Sequence, residues 1–173
     1  MNHALTNIIR FFALVTVQIL VLNKIQISGY INPYIYILFI LLLPIKTPKW
    51  LLLVLGFVLG FTIDLFTGIM GLHTFATLLI AFFRPVILNI VLSDDDKEAA
   101  LEPGLINYGV IKFIYFAGLL TFMHHLFLFF LEVYALGEFF DTLLRSVINT
   151  IVSIICMILT LMLFSKKRDD RTI

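Results

Sequence analysis

Six apolar runs, at residues 5–22, 31–45, 50–66, 72–92, 108–133 and 143–164, make up most of this 173-residue chain. A helix that crosses a bilayer needs about 20 consecutive, mostly apolar residues, within about 17–25. The run at 31–45 is short by that measure, and the others are long enough. Hydrophobic residues are 61% of the chain and charged residues 13%, against about 45–50% and about 25% in soluble domains. A water-soluble fold cannot hide that much apolar surface, whereas a bilayer can. The expected fold class is all-α, a polytopic membrane helical bundle of about six transmembrane helices forming a single integral membrane domain, 1–173.

The first run is followed by Asn23, Lys24, Ile25 and Gln26, not by a small-residue cleavage site, so it reads as a retained helix. Asn32 and Pro33 suit the start of a second helix, and Pro44 and Pro48 limit its end. Between the fourth and fifth runs lies a polar loop, 93–107, with Asp94, Asp95, Asp96, Lys97, Glu98 and Glu102. Ser93 followed by Asp96 is a helix-start pattern, and acids favour the positive end of a helix dipole. A short polar surface helix or ordered loop is expected there, stopped by Pro103 and Gly104. The tail, 165–173, carries Lys166, Lys167, Arg168 and Arg171.

Lys and Arg are enriched on the cytoplasmic side of membrane proteins. With six spans, the side shared by the termini holds Lys46, Lys49, Lys97 and the four tail cations, and the opposite loops hold only Lys24. Both termini are therefore expected to be cytoplasmic. Tyr30, Tyr34 and Tyr134 would then mark the outer interface, and Trp50 and Tyr108 the inner one. The formal net charge of +1 excludes a broadly basic nucleic-acid surface.

Gly56, Gly60, Asp64 and Gly68 recur every four residues, which places them on one helix face. Glycines let another helix backbone approach closely, and a carboxylate on that face belongs against protein, not lipid. Asp64 has three readings: an anchor or cap for a neighbouring helix or turn, a contact for a partner helix, and a proton- or ion-carrying site. His73 is the best-placed side chain to meet it. Arg84 lies too deep for that pairing, and its candidate partners are Thr16, Gln18, a carbonyl freed by Pro85, or cytoplasmic headgroups. Glu132 and Arg145 both fall near the outer boundary and can pair. His124 and His125 point about 100° apart on one helix and lack nearby ligands, so packing or an interhelical hydrogen bond is their expected role and no metal is expected. Cys156 sits in an apolar run without CxxC spacing and reads as a small hydrophobe. GxSxG, HExxH and a phosphate-binding glycine loop are all missing from the sequence, so no catalytic residues and no cofactor are assigned.

The stretch GFVLGFTIDLFTGIMGLHTFATLLIAFFRP, from Gly56 to Pro85, resembles the central region of the rod-shape-determining MreD family. The opening QILVLNKIQISGYINPYIYILFILLLP, the length and the charged tail are similar as well. The resemblance implies a multi-pass protein of the bacterial cytoplasmic membrane, in the elongation machinery that places new peptidoglycan. It implies an MreC-like single-span partner and, through it, a RodA-type glycosyltransferase, a penicillin-binding transpeptidase and MreB. The fold of that family is related to the substrate-binding subunits of energy-coupling-factor transporters, which makes a transporter subunit or small solute transporter the alternative. Surrounding membrane lipids complete the expected partners.

Overall fold

The computed structural model describes residues 3–24, 31–99, 103–133 and 138–164. Its elements are α1 (His3–Leu20, followed by a 3-10 turn Leu22–Lys24), the single turn α2 (Leu38–Leu41), α3 (Lys49–Thr67), α4 (Leu72–Val91), α5 (Asp94–Ala99), α6 (Leu105–Val133) and α7 (Phe139–Phe164). Among the described residues the architecture is all-helical, and five helices are long and apolar enough to cross a membrane. The basic tail, Tyr30 and Tyr134 lie outside the described residues.

The expected second transmembrane helix does not form. Only Leu38–Leu41 of the run at 31–45 is helical; 32–35 is irregular. Length supplies a reason. Fifteen residues of helix would rise about 22 Å, short of a hydrocarbon core about 30 Å thick. A partly extended chain rises up to about 3.3 Å per residue, so the same number of residues reaches further than a helix would. We call this segment the strap. It runs antiparallel to α1, since Pro33 and Ile35 lie against Gln18 and Leu42 lies against Arg10. Every residue from Ile35 to Leu43 is buried, so the strap threads the middle of the bundle and forms its core with Leu52, Leu59, Ile80, Phe113 and Phe116.

The helices α3 and α4 form a close antiparallel hairpin. The chain reverses through Gly68 (φ +75°) and Gly71 (φ +96°), a left-handed backbone that residues with a Cβ adopt at a cost. A Cβ on Gly56 would stand 2.9 Å from Ala81 Cβ, and one on Gly60 would stand 2.5 Å from Thr74 Cα and 2.6 Å from the His73 carbonyl oxygen. The glycine face thus meets α4. Pro85 lies inside α4, which continues to Val91. The rod α6 packs between α4 and α7, and Gly109 (φ 74°, ψ 160°) interrupts its first turns. α1 packs mainly on the strap and α3, and much of its surface is exposed, including Ile8, Ile9, Phe12 and Leu20.

The polar segment after α4 forms the short helix α5. The Ser93 backbone N–H and hydroxyl donate to Asp96 Oδ2 (3.0 and 2.6 Å), and the Asp96 N–H donates to Ser93 Oγ (3.3 Å), a reciprocal cap. Both oxygens of Asp96 also accept from Lys112 Nζ at 2.7 Å, which ties α5 to α6. That bond first, and then the Ser93 bonds, hold the Asp96 carboxyl down to about 2.

Candidate functional site

The interior of a bilayer offers no water to an unpaired backbone group, so irregular chain persists there only when protein satisfies it. The strap shows how this is done. Gln18 Nε2 donates to the Pro33 carbonyl (3.1 Å), and its Oε1 accepts from the Ile35 N–H (2.9 Å). Asn149 Oδ1 accepts from the Asn32 N–H (2.7 Å), and Ser153 Oγ accepts from the Tyr34 N–H (2.9 Å). Arg10 Nη1 donates to the Leu42 carbonyl at 3.2 Å. Arg84 Nη2 donates to the carbonyls of Leu41 (3.3 Å) and Leu43. Side chains from α1, α4 and α7 replace the hydrogen bonds that a helix would have made for itself.

Arg84 is fully buried. It meets none of Thr16, Gln18 or the headgroups, and not the carbonyl freed by Pro85. Its partners are strap carbonyls, unforeseen because the strap reads as a helix in the sequence. Arg84 Nε and Nη1 and the buried Tyr108 hydroxyl have no hydrogen-bond partner among the described residues. The Tyr108 ring is buried among protein side chains, and Tyr34 is partly buried, stacked on His125 at 5.4 Å. Trp50 is exposed.

Asp64 is fully buried at the end of α3 and caps α4. Its Oδ2 accepts from the Gly71 N–H (2.9 Å), the Thr74 N–H (2.9 Å) and the Thr74 hydroxyl (2.5 Å), and its Oδ1 accepts from the His73 N–H (2.9 Å). Those N–H groups are among the first of α4, which have no partner within their own helix, and the positive end of the helix dipole favours an acceptor there. His73 thus meets Asp64 through its backbone, not through its ring. The glycines do not present Asp64 to a partner helix: Gly56 and Gly60 are covered by α4, and Gly68 is the left-handed cap of α3, where an added Cβ would meet nothing within 4 Å.

The His73 ring turns to the strap instead. Tyr36 Oη lies 2.8 Å from both His73 Nδ1 and His124 Nε2. A hydroxyl has one proton, so it donates to one ring nitrogen and accepts from the other. His125 Nδ1 lies 2.7 Å from the Thr121 carbonyl. Among the described residues no three His, Cys, Asp or Glu side chains group as metal ligands. Nothing in the sequence marks Tyr36, and Asn149 and Ser153 carry only a faint signal: Thr142, Ser146, Asn149, Thr150 and Ser153 recur at helical spacing, and all are buried on α7.

At the end of the bundle where α4 begins, a pocket of about 310 Å³ is lined by Asn23, Asn32, Tyr34, Thr67, His73 and Glu132, among others. Asp64 and His124 do not line it and are engaged elsewhere. Glu132 pairs with Arg145 at 3.1 Å, and the Arg145 guanidinium lies 4.1 Å over the Phe129 ring. Half-exposed pairs of this kind contribute little to stability.

These features define a multi-pass helical membrane protein whose interior polar groups are largely engaged with its own backbone. Comparison with protein-family models, with curated proteins and with solved structures gave no match.

Proposed function

We propose that this chain is a non-catalytic scaffold or regulatory subunit of a bacterial cell-shape complex, embedded in the cytoplasmic membrane with six crossings and both termini in the cytoplasm. One observation carries the scaffold reading. Five polar side chains of the interior fix backbone: Asp64 on α4, and Gln18, Arg84, Asn149 and Ser153 on the strap. What such a molecule presents to its surroundings is apolar helix surface of defined shape. The strap supports six crossings, because it carries the chain from the Asn23 end of α1 back to the Lys46 end, where α3 starts. Lys46 and Lys49 then share a side with the N-terminus, opposite Lys24, in keeping with the positive-inside bias.

The resemblance to the MreD family supplies the expected partner, an MreC-like single-span protein, and through it the RodA-type glycosyltransferase, the penicillin-binding transpeptidase and MreB. Purification in mild detergent at native expression level, with identification of what co-purifies, tests this. Recovery of a single-span protein or of cell-wall synthases supports the scaffold. Recovery of an ATPase module overturns it.

A second reading, a substrate-binding subunit of a membrane transporter or a small solute transporter, draws on the pocket beside His73 and Glu132. Irregular backbone at membrane depth is also a feature of transport sites. A tightly held small molecule, released when His73 and Glu132 are replaced, would favour it.

A further inference from the structure

We propose that the groove between α1 and α3 at the Lys46 end holds one acyl chain of an anionic phospholipid, with the lipid phosphate beside Lys46 and the start of α3. The groove has a volume of about 500 Å³. Ile8, Phe11 and Phe12 of α1 form one wall, Leu51 and Leu55 of α3 the other, and Phe39 of the strap lies between them.

Its length selects the occupant. Along α3 the lining extends from Pro48 to Val58, a rise of about 15 Å. That is half of a hydrocarbon core about 30 Å thick, the depth of one leaflet. A partner transmembrane helix would need a seat along the whole core and a width of about 10 Å. An acyl chain needs only one leaflet.

Charge selects the headgroup. The groove ends at Lys46, Thr47 and Asn7. Lys46 and its neighbour Lys49 are exposed, and neither makes an ion pair or side-chain hydrogen bond among the described residues. α3 starts at Lys49, preceded by Pro48, with no side-chain cap and no acidic residue in its first turn, so its leading N–H groups and positive dipole end are open to an anion. Trp50, exposed beside them, suits the headgroup level. Basic pockets between helices on the cytoplasmic side recognise anionic lipids by this combination. The inference rests on the membrane reading and on this end facing the anionic leaflet; it needs no protein partner.

Native mass spectrometry of the full chain in mild detergent, with phosphatidylglycerol or phosphatidylcholine of the same acyl chains added, tests it. One phosphatidylglycerol is expected to be retained in preference to phosphatidylcholine. Lys46→Gln should lower that retention about fivefold, the effect of about one basic residue at a membrane surface, and Lys46→Gln with Lys49→Gln should bring it to the phosphatidylcholine level. Leu55→Trp, which fills the groove, should reduce retention of both lipids, and Lys97→Gln should change neither. Equal retention of the two lipids overturns the proposal. So does unchanged phosphatidylglycerol retention in the double lysine variant, or a photo-crosslinker at Phe12 that captures a protein helix in place of lipid in the native membrane.

Discussion

Asp64 and Gly60 show how little room single side chains have at the α3–α4 contact. Asp64 accepts four hydrogen bonds, three of them from backbone. A buried donor left without its acceptor costs about 1–3 kcal/mol, so Asp64→Ala is expected to lower stability by several kcal/mol. Asp64→Asn keeps an acceptor oxygen but turns an NH2 group toward donors, so it should also destabilise, by less. Thr74→Val removes only the hydroxyl bond and should be the mildest. Thermal unfolding in detergent, followed by loss of helicity, gives this order; a neutral Asp64→Ala would show that α4 does not depend on its cap. Gly60→Ala forces a methyl against backbone of Thr74 and His73, which cannot swing aside, and overpacking of this kind costs about 1–3 kcal/mol. Gly56→Ala meets mainly the Ala81 side chain and the Thr77 carbonyl at longer distances and should be better tolerated in the same assay. The four-residue spacing in the sequence makes the close approach legible. It does not say which helix approaches, because a glycine face is equally fit for a neighbour in the same chain or in another. The sequential neighbour α4 takes it here.

Among the elements, the strap is the one whose form the sequence conceals. A segment buried on every side is apolar at every position, so neither a helical nor an alternating period marks it. Its short length and flanking prolines are hints, and they were consistent with a short helix too. The partners of Arg84 are hidden for the same reason, since strap carbonyls are open to it only where the strap is irregular. The strap's dependence on side chains gives a prediction. Gln18→Leu leaves the Pro33 carbonyl and the Ile35 N–H unpaired away from water, and about 1–3 kcal/mol per group should appear as a lower unfolding temperature. Phe12→Leu, which does cut volume but on the exposed face of the same helix, should cost less. At the opposite extreme is α5, whose cap is legible in the Ser93–Asp96 spacing and whose tether to Lys112 is not. That tether depresses Asp96 from an ordinary value near 3.8 to about 2. A depressed carboxylate contributes its full stabilisation above the ordinary value and loses it as pH falls from about 3.8 through about 2. Carboxyl carbon NMR on the full chain should find a low Asp96 midpoint, and Lys112→Gln should raise it toward the ordinary value. An unmoved midpoint would assign the shift to Ser93 instead.

For the whole molecule, the proposal of six crossings turns on the strap. Five helices qualify by length and apolarity, and an odd count would put the termini on opposite sides. In the proposed topology the strap makes the sixth crossing, because a chain segment satisfied from within the protein can cross where a helix of the same length would fall short. Positions at the two ends of the strap are therefore expected to lie on opposite faces of the membrane. After replacement of Cys156 by Ala, Lys24→Cys should react with a membrane-impermeant maleimide added to whole cells. Lys46→Cys and Lys97→Cys should react only after the membrane is opened. Labelling of Lys46→Cys from outside would mean that the strap turns back without crossing. It would also dissolve the charge asymmetry, since Lys46 and Lys49 would then lie with Lys24. The same result would remove the anionic leaflet from the α1–α3 groove while leaving Asp64, the strap bonds and the α3–α4 hairpin as they are, because those contacts depend on protein packed against protein and not on which face of the membrane they point to.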